Sequence, residues 1–176
     1  MPAHLTVRRV GADEAAAYVE RLADLLIDCV EGDASVSFMH PLSCEHAEAF
    51  WRGVAEGMAA GERALLVAED AQGICGTVQL VLAQPENQPH RADLAKMLVH
   101  RRGRRHGLGA ALMRAAEALA RECSRSLLVL DTVTGGDAER LYARLGWQRC
   151  GDIPGFALWP LGGPCGTTVF YRALPA

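Results

Sequence analysis

The chain has 176 residues, half of them apolar, and a formal net charge of −3 at pH 7. These values fit one globular domain spanning residues 1–176, and the mild acidity argues against nucleic acid as a partner. Because no apolar run is long enough to span a bilayer and no signal-like segment opens the chain, we expect a cytoplasmic protein that does not bind membranes.

Hydrophobic periodicity predicts a chain of alternating strands and helices. In chain order these are a strand at 6–10, helices at 13–31 and 43–61, strands at 64–70, 74–83 and 91–99, a helix at 107–123, a strand at 127–132, a helix at 137–145, and strands at 147–151 and 168–174. Three consecutive strands without a helix between them are antiparallel neighbours by default, whereas a strand, a crossover helix and a buried strand form a parallel pair. The sheet is therefore predicted to be mixed.

Two segments outside these elements carry apolar side chains. Segment 32–41 combines turn residues with Phe38 and Met39, and is either a loop that Phe38 pins to the core or a lid that faces a substrate. Segment 152–167 is predicted to be a loop rich in proline and glycine, yet it contains Phe156. An apolar aromatic residue on a surface loop indicates a role in binding.

Neither the cysteines nor the lysine content indicates a functional site. None of the six cysteines has C-x-x-C spacing, and no group of histidine and cysteine has the spacing of zinc ligands. We therefore expect reduced thiols and no bound metal. Arginine supplies almost all of the positive charge, and we interpret the single lysine, Lys96, as a compositional bias.

The stretch 99–109 joins a predicted strand to a predicted helix and is rich in glycine and arginine. Such a turn is suited to bind phosphate, because backbone N–H groups at a helix N-terminus have no partner within the helix. A P-loop would require lysine and Ser/Thr after its last glycine, where Ala110 stands. A dinucleotide-binding turn would require a third glycine where Leu112 stands, so neither of these motifs fits.

The pattern that remains, R-x-x-G-x-G at Arg104, Gly107 and Gly109, resembles the pyrophosphate loop of the GNAT superfamily of acetyl-CoA-dependent N-acetyltransferases. The order of predicted elements is similar to that superfamily from residue 6 to 174, and residues 141–147, LYARLGW, resemble its closing motif. The resemblance implies an α/β (α+β) fold in which helices flank a mixed, mostly antiparallel central sheet with one splayed pair of parallel strands. It also implies acetyl-CoA as the co-substrate and a homodimer.

By this resemblance, the pantetheine arm of acetyl-CoA lies between the splayed strands, and the glycine-rich loop holds its pyrophosphate. The amide of Leu98 or Val99 then polarises the thioester carbonyl. The implied cofactor-binding residues are Met97, Leu98, Val99, Arg104, Arg105, His106, Gly107, Leu108, Gly109 and Ala110. The other two arginines of the loop, Arg101 and Arg102, are expected to be solvated.

Three residues are catalytic candidates under the same resemblance. It places the phenol of Tyr142 beside the sulfur of acetyl-CoA, where it acts as a general acid; the alternative is a half-buried core tyrosine. Asp93 and Asp131, one on each splayed strand, are candidates for the base that deprotonates the acceptor amine. Either could instead bind the ammonium group of a substrate or be an exposed residue at a strand end.

Short motifs at 32–39, 130–132 and 154–155 resemble the tabtoxin-resistance branch of the superfamily, which acetylates a small β-lactam amino acid. This resemblance implies that the acceptor is the primary amine of a small molecule, such as an amino-acid-like toxin or antibiotic. The alternatives are acetylation of a protein or peptide, and an idle acyl-CoA-binding module. The implied substrate-binding residues are Ser35, Phe38, Met39, Asp131 and Phe156.

Overall fold

A seven-stranded sheet forms the centre of the computed structural model, which describes residues 5–175. Its strands are β1 (Thr6–Val10), β2 (Arg63–Asp70), β3 (Gly73–Val81), β4 (Arg91–Val99), β5 (Leu127–Val133), β6 (Gln148–Leu158) and β7 (Pro164–Ala173). They lie in the order β1-β2-β3-β4-β5-β7-β6, with β4 and β5 parallel and the other neighbours antiparallel. The predicted fold class is confirmed.

Helices cover both faces of this sheet. They are α1 (Val19–Glu31), α2 (Cys44–Ala59), α3 (Leu108–Glu122) and α4 (Asp137–Arg144). Helices α1 and α2 pack on one face and α3 on the other, each through the apolar side of an amphipathic helix. Ser43 caps α2 as predicted, because its Oγ accepts a hydrogen bond from the His46 N–H at 3.2 Å. No helix within residues 5–175 combines the length and apolar content of a membrane span.

The parallel pair separates after three residues. The pairing of β4 with β5 runs from Arg91 opposite Leu127 to Asp93 opposite Val129, and it does not continue beyond that point. The rest of β4 pairs with β3 alone, while β5 keeps its pairing with β7 up to Val133. A gap therefore opens between β4 and β5 toward their carboxyl ends, as the predicted splay requires.

A bulge interrupts β4 beside this gap. Between Ala95 and Leu98, two residues of β4 oppose one residue of β3. One of the two is Lys96, whose φ of +50° lies in the left-handed region. Because the extra residue reverses the alternation of side chains, Leu94 packs in the core under α3 whereas Leu98 packs in the core under α1 and α2. The strand predicted at 91–99 is present, but its pattern did not indicate the bulge.

The prediction of a loop at 152–167 is wrong. Most of this segment belongs to the hairpin of β6 and β7. Pro154 is tolerated because it lies on an edge strand, in a stretch where the pairing with β7 is irregular. Phe156 consequently lies on β6, where it is 56% exposed.

Candidate active site

The loop between β4 and α3 presents open backbone N–H groups at a helix N-terminus. Gly107 precedes α3 with a φ of +77°, and its carbonyl accepts a hydrogen bond from the Ala111 N–H at 3.1 Å. The N–H groups of Leu108, Gly109 and Ala110, in the first turn, have no acceptor within the helix. A Cβ added at Gly107 would meet no atom within 4 Å, so the backbone is open to an approaching group. This end of α3 is suited to bind an anion.

Two arginines anchor this loop to the rest of the fold. Arg101 pairs with the buried carboxylate of Asp28 on α1, which also accepts a hydrogen bond from the Arg101 N–H at 3.0 Å. Arg102 pairs with Asp70 at 3.0 Å, lowering the pKa of that carboxyl, and donates to the Ile74 carbonyl at 2.7 Å. The expectation that Arg102 is solvated is wrong, since its side chain is 27% exposed, whereas Arg101 is exposed as expected and also forms ion pairs.

The next two arginines keep their charges near the open end of α3. Both are exposed, and Arg104 Nε donates to the Val99 carbonyl at 3.2 Å. The pKa of Asp137, at the start of α4, is lowered chiefly by Arg140 and to a lesser extent by Arg105 and Arg104. Two cations therefore lie around the N–H groups of the loop.

Gly109 allows α3, α4 and the bulge of β4 to meet. A Cβ added at Gly109 would lie 2.9 Å from Leu141 Cδ2 and 4.0 Å from the Sδ of Met97. A larger residue would require the Leu141 side chain to shift. The glycine therefore has a packing role where α3 meets the helix that carries Tyr142.

The backbone of Val99 faces the gap between the splayed strands. The His100 N–H donates to the Cys75 carbonyl of β3 at 2.9 Å. Alternate residues of an antiparallel strand bond to the same neighbour, so Leu98 also directs its N–H toward β3. Val99 then directs its N–H and C=O groups away from β3. The resemblance left two candidates, the amides of Leu98 and Val99, for polarising the thioester carbonyl. Of these, only the amide of Val99 lies on the side of the gap.

Tyr142 is buried in the core under α3, with 4% of its surface exposed. Its ring centroid lies 6.1 Å from that of Trp147 and 6.0 Å from that of Phe170. Burial raises the pKa of the phenol above its ordinary value, and the negative charge of Asp131 raises it further. The phenol is therefore protonated at neutral pH and is a weaker acid than an exposed tyrosine.

The two candidate carboxylates have different surroundings. Asp131, on β5 beside the gap, is exposed and accepts one hydrogen bond, from Thr167 Oγ1 to its Oδ2 at 2.9 Å. Asp93 lies where the parallel strands still pair, and its carboxylate binds Arg91 and the Nε2 of Gln84, the latter at 3.1 Å. Asp131 is thus the more available of the two for contact with a substrate.

Lys96 is a residue of this region that the sequence did not indicate. Its side chain is partly buried, and its Nζ donates to Ser37 Oγ at 3.2 Å. The same nitrogen lies 5.9 Å from the ring centroid of Phe38 and 5.4 Å from that of Phe50. Burial lowers the pKa of Lys96, whereas the charge of Asp131 raises it. The interpretation as a compositional bias overlooked the one available signal, a single lysine within the otherwise apolar run 94–99.

Segment 32–41 is held against the core by Phe38. Its ring packs edge-on against His46 and Phe50 of α2, with centroids 5.4 Å and 5.3 Å apart. Met39, the next residue, is 48% exposed. The structure therefore supports the pinned loop over a detached lid.

The same segment also reaches the hairpin of β6 and β7. Ser35 Oγ donates to the Leu158 carbonyl at 3.4 Å, and the His40 N–H donates to the Pro160 carbonyl at 3.0 Å. Ser35 therefore binds protein backbone. Among the described residues, no hydrogen bond or aromatic pair joins Phe156 to the group formed by Lys96 and its neighbours.

These features fit acetyl-CoA. The open N–H groups of α3, with Arg104 and Arg105 beside them, suit a pyrophosphate, and His106 is exposed on the same loop. The edge of β4 that faces the gap offers backbone groups to the amides of a pantetheine arm, because that part of β4 has no parallel partner.

Comparison with known proteins agrees with this geometry. Residues 61–149, slightly more than half of the chain, match the acetyltransferase (GNAT) domain. A GCN5-related N-acetyltransferase from Kribbella flavida shares 23% sequence identity at a TM-score of 0.79, over 99% of this chain and all of the other. The protein yncA from Salmonella typhimurium, solved with its cofactor acetyl-CoA, shares 18% identity at 0.78, over 99% of this chain and 96% of the other. A ribosomal-protein-alanine N-acetyltransferase from Brucella melitensis shares 20% sequence identity at a TM-score of 0.77, over 96% of this chain and 99% of the other. The chain therefore belongs to the GNAT acetyltransferase family.

Proposed function

We propose that this protein transfers the acetyl group of acetyl-CoA to the primary amine of a small molecule. The observation that carries the proposal is that segment 32–41 is hydrogen-bonded to the β6–β7 hairpin at Leu158 and Pro160. We take these contacts to close the acceptor side. A peptide acceptor would need an open groove, whereas a small amine fits an enclosed site. An amino-acid-like toxin or antibiotic, which the tabtoxin-resistance resemblance implies, is an acceptor of this size.

Acetyl-CoA, when bound, supplies an activated acetyl thioester. The amides of residues 108–110 would hold its pyrophosphate together with Arg104 and Arg105, and residues 97–99 would hold its pantetheine arm. The orientation of Val99 supports its amide as the hydrogen-bond donor to the thioester carbonyl. One fixed donor of this kind typically lowers a reaction barrier by about 2.7 to 4 kcal/mol.

Asp131 and Tyr142 would divide the two proton transfers. An amine must be neutral to attack a carbonyl carbon, and the exposed carboxylate of Asp131 is suited to take its proton, directly or through a water molecule. Tyr142, whose phenol burial keeps protonated, is suited to give a proton to the departing sulfur. The ion pair of Asp93 with Arg91 supports Asp131 as the base.

A thiol-release screen tests the proposal. Acetyl-CoA binding is measured first by calorimetry, and free thiol is then followed with panels of small amines, amino acids and peptides. We expect binding, and thiol release with small amines but not with peptides. Release with peptides alone would make the protein a peptide or protein acetyltransferase. Binding without release for any acceptor would make it an idle acyl-CoA-binding module.

A further inference from the structure

Lys96 is a cation without an anionic partner. Its ammonium group contacts the hydroxyl of Ser37 and the faces of two aromatic rings, those of Phe38 and Phe50. Among the described residues, no carboxylate lies within 4.0 Å of its nitrogen. Partly buried charges are costly without a partner, so proteins rarely retain one. The described residues therefore leave the charge of this cation without a carboxylate at ion-pair distance.

The direct contacts of Lys96 suit an ammonium group, although burial lowers its pKa. Aromatic faces attract a cation, and a hydroxyl oxygen accepts a hydrogen bond from it. The charge of Asp131 acts in the same direction, while burial and the charge of Arg63 lower the pKa of the ammonium group. Through these contacts Lys96 is suited to bind an anion.

Lys96 and Asp131 belong to the two strands that splay apart. Lys96 is on the bulge of β4, and Asp131 is on β5 beyond the point where the two strands pair. Their charges are opposite, and no ion pair joins the two side chains. The gap therefore presents one positive and one negative group to whatever enters from the acceptor side.

We infer that Lys96 binds a carboxylate of the acceptor while Asp131 receives its amine, so that the acceptor is a small amino acid or a closely related amine with a carboxylate. The inference rests on the proposed function, because it assigns the acceptor of the same site. Phe38 and Phe50 then border the apolar part of the acceptor next to its carboxylate. Ser37 orients the ammonium group through its hydroxyl.

The kinetic test compares acceptors that share the amine and side chain and differ in whether they carry a carboxylate. Thiol release is measured with a panel of L-amino acids and with the corresponding L-amino acid amides, which keep the amine and lose the carboxylate. We expect the wild-type protein to show a higher kcat/KM for acids than for amides, by about 10- to 100-fold, as for one charged hydrogen bond. Lys96→Met should bring this ratio close to one. Lys96→Arg, which keeps the charge, should retain part of the preference.

A second measurement does not depend on turnover. Because Lys96 is the only lysine, protein grown with ε-13C-lysine gives one side-chain NMR signal, which Lys96→Met removes. Titration with the same amino acids should move this signal, and titration with the amides should not. Circular dichroism and acetyl-CoA calorimetry of both variants establish that they are folded.

The two readouts separate failure of this inference from failure of the proposed function. Equal kcat/KM for acids and amides, or an equal loss for both in Lys96→Met, would overturn carboxylate recognition while leaving small-amine acetylation in place. If the wild-type protein acetylates no small amine, the proposed function fails, and the NMR titration alone decides whether Lys96 binds carboxylates. A signal that responds to neither panel would overturn the inference in that case as well.

Discussion

Tyr142 is the proposed general acid of the reaction, and it lies in an environment that raises the pKa of its phenol. We predict that Tyr142→Phe lowers kcat by at least about 10²-fold, the usual contribution of a general acid. Burial and the charge of Asp131 raise the pKa of the phenol above the ordinary value near 10. Deprotonation of Tyr142 should therefore not reduce the activity of the wild-type protein below about pH 10. The measurement is the pH–rate profile of thiol release for both proteins.

The same group links pH to stability. In the unfolded chain the phenol loses its proton near pH 10, whereas in the folded chain it keeps it to higher pH. The stability present below pH 10 is therefore lost as pH rises toward the folded-state pKa, and this loss should be smaller in Tyr142→Phe.

Full turnover by Tyr142→Phe across the pH range would contradict the acid role and leave Tyr142 as a core residue.

Asp131 and Asp93 make a matched pair for locating the base. We predict that Asp131→Asn lowers kcat/KM by about 10²-fold, because the amide cannot accept the proton. Asp93→Asn should change kcat/KM less than tenfold, since its carboxylate is already bound by Arg91 and Gln84. Both variants are assayed with one acceptor and checked by thermal unfolding. A larger loss in Asp93→Asn would place the base at the other strand.

At the scale of elements, the loop between β4 and α3 is anchored to α1 through Asp28. Asp28 is 8% exposed and binds both the backbone N–H and the guanidinium of Arg101. We predict that Asp28→Ala lowers the free energy of unfolding by about 1 to 3 kcal/mol and weakens acetyl-CoA binding, because the loop loses its anchor. Urea unfolding and calorimetry measure the two effects.

Glu31 provides the control for that variant. It contacts the same Arg101 at 3.4 Å, but its side chain is 53% exposed. Exposed ion pairs contribute little, so Glu31→Ala should change stability by less than about 1 kcal/mol. If Asp28→Ala is destabilised yet binds acetyl-CoA as well as wild type, the anchor stabilises α1 without positioning the loop.

The sequence predicted regular elements well and local irregularities poorly. The strand at 91–99 has the predicted bounds, because its apolar pattern and flanking turn residues are local signals. The bulge at Lys96 was missed, since it arises from pairing with β3 and has no local signature. Proline and glycine at 154–155 suggested a loop, but an edge strand tolerates them.

In the candidate site as well, features with a local sequence signal were predictable, whereas contacts between distant residues were not. Gly107 and Gly109 could be placed from the motif alone, because a turn that binds phosphate needs glycine at fixed spacing. The ion pairs of Arg101 and Arg102 join residues far apart in sequence, and those partners became visible only once the sheet was assembled. The group around Lys96 likewise combines β4, α2 and segment 32–41.

At the scale of the whole molecule, the proposed acceptor side is bordered by two segments that lie more than 100 residues apart in sequence and are hydrogen-bonded to each other. Segment 32–41 follows α1, and the turn that it contacts joins β6 to β7 near the carboxyl end of the chain. Their contacts are hydrogen bonds to the carbonyls of Leu158 and Pro160. Restricting the acceptor to small amines should therefore depend on the hairpin as well as on segment 32–41.

We predict that shortening the β6–β7 turn by removing residues 160–162 relaxes selection by size. Without the Pro160 carbonyl, segment 32–41 loses one of its hydrogen bonds to the hairpin. The ratio of kcat/KM for an amino acid amide over a tripeptide with the same first residue should then fall. Leu158→Gln, which changes an exposed side chain of the hairpin and keeps the Leu158 carbonyl, is the control and should leave the ratio near that of wild type. An unchanged ratio in the shortened protein, with acetyl-CoA binding intact, would mean that the hairpin does not limit acceptor size.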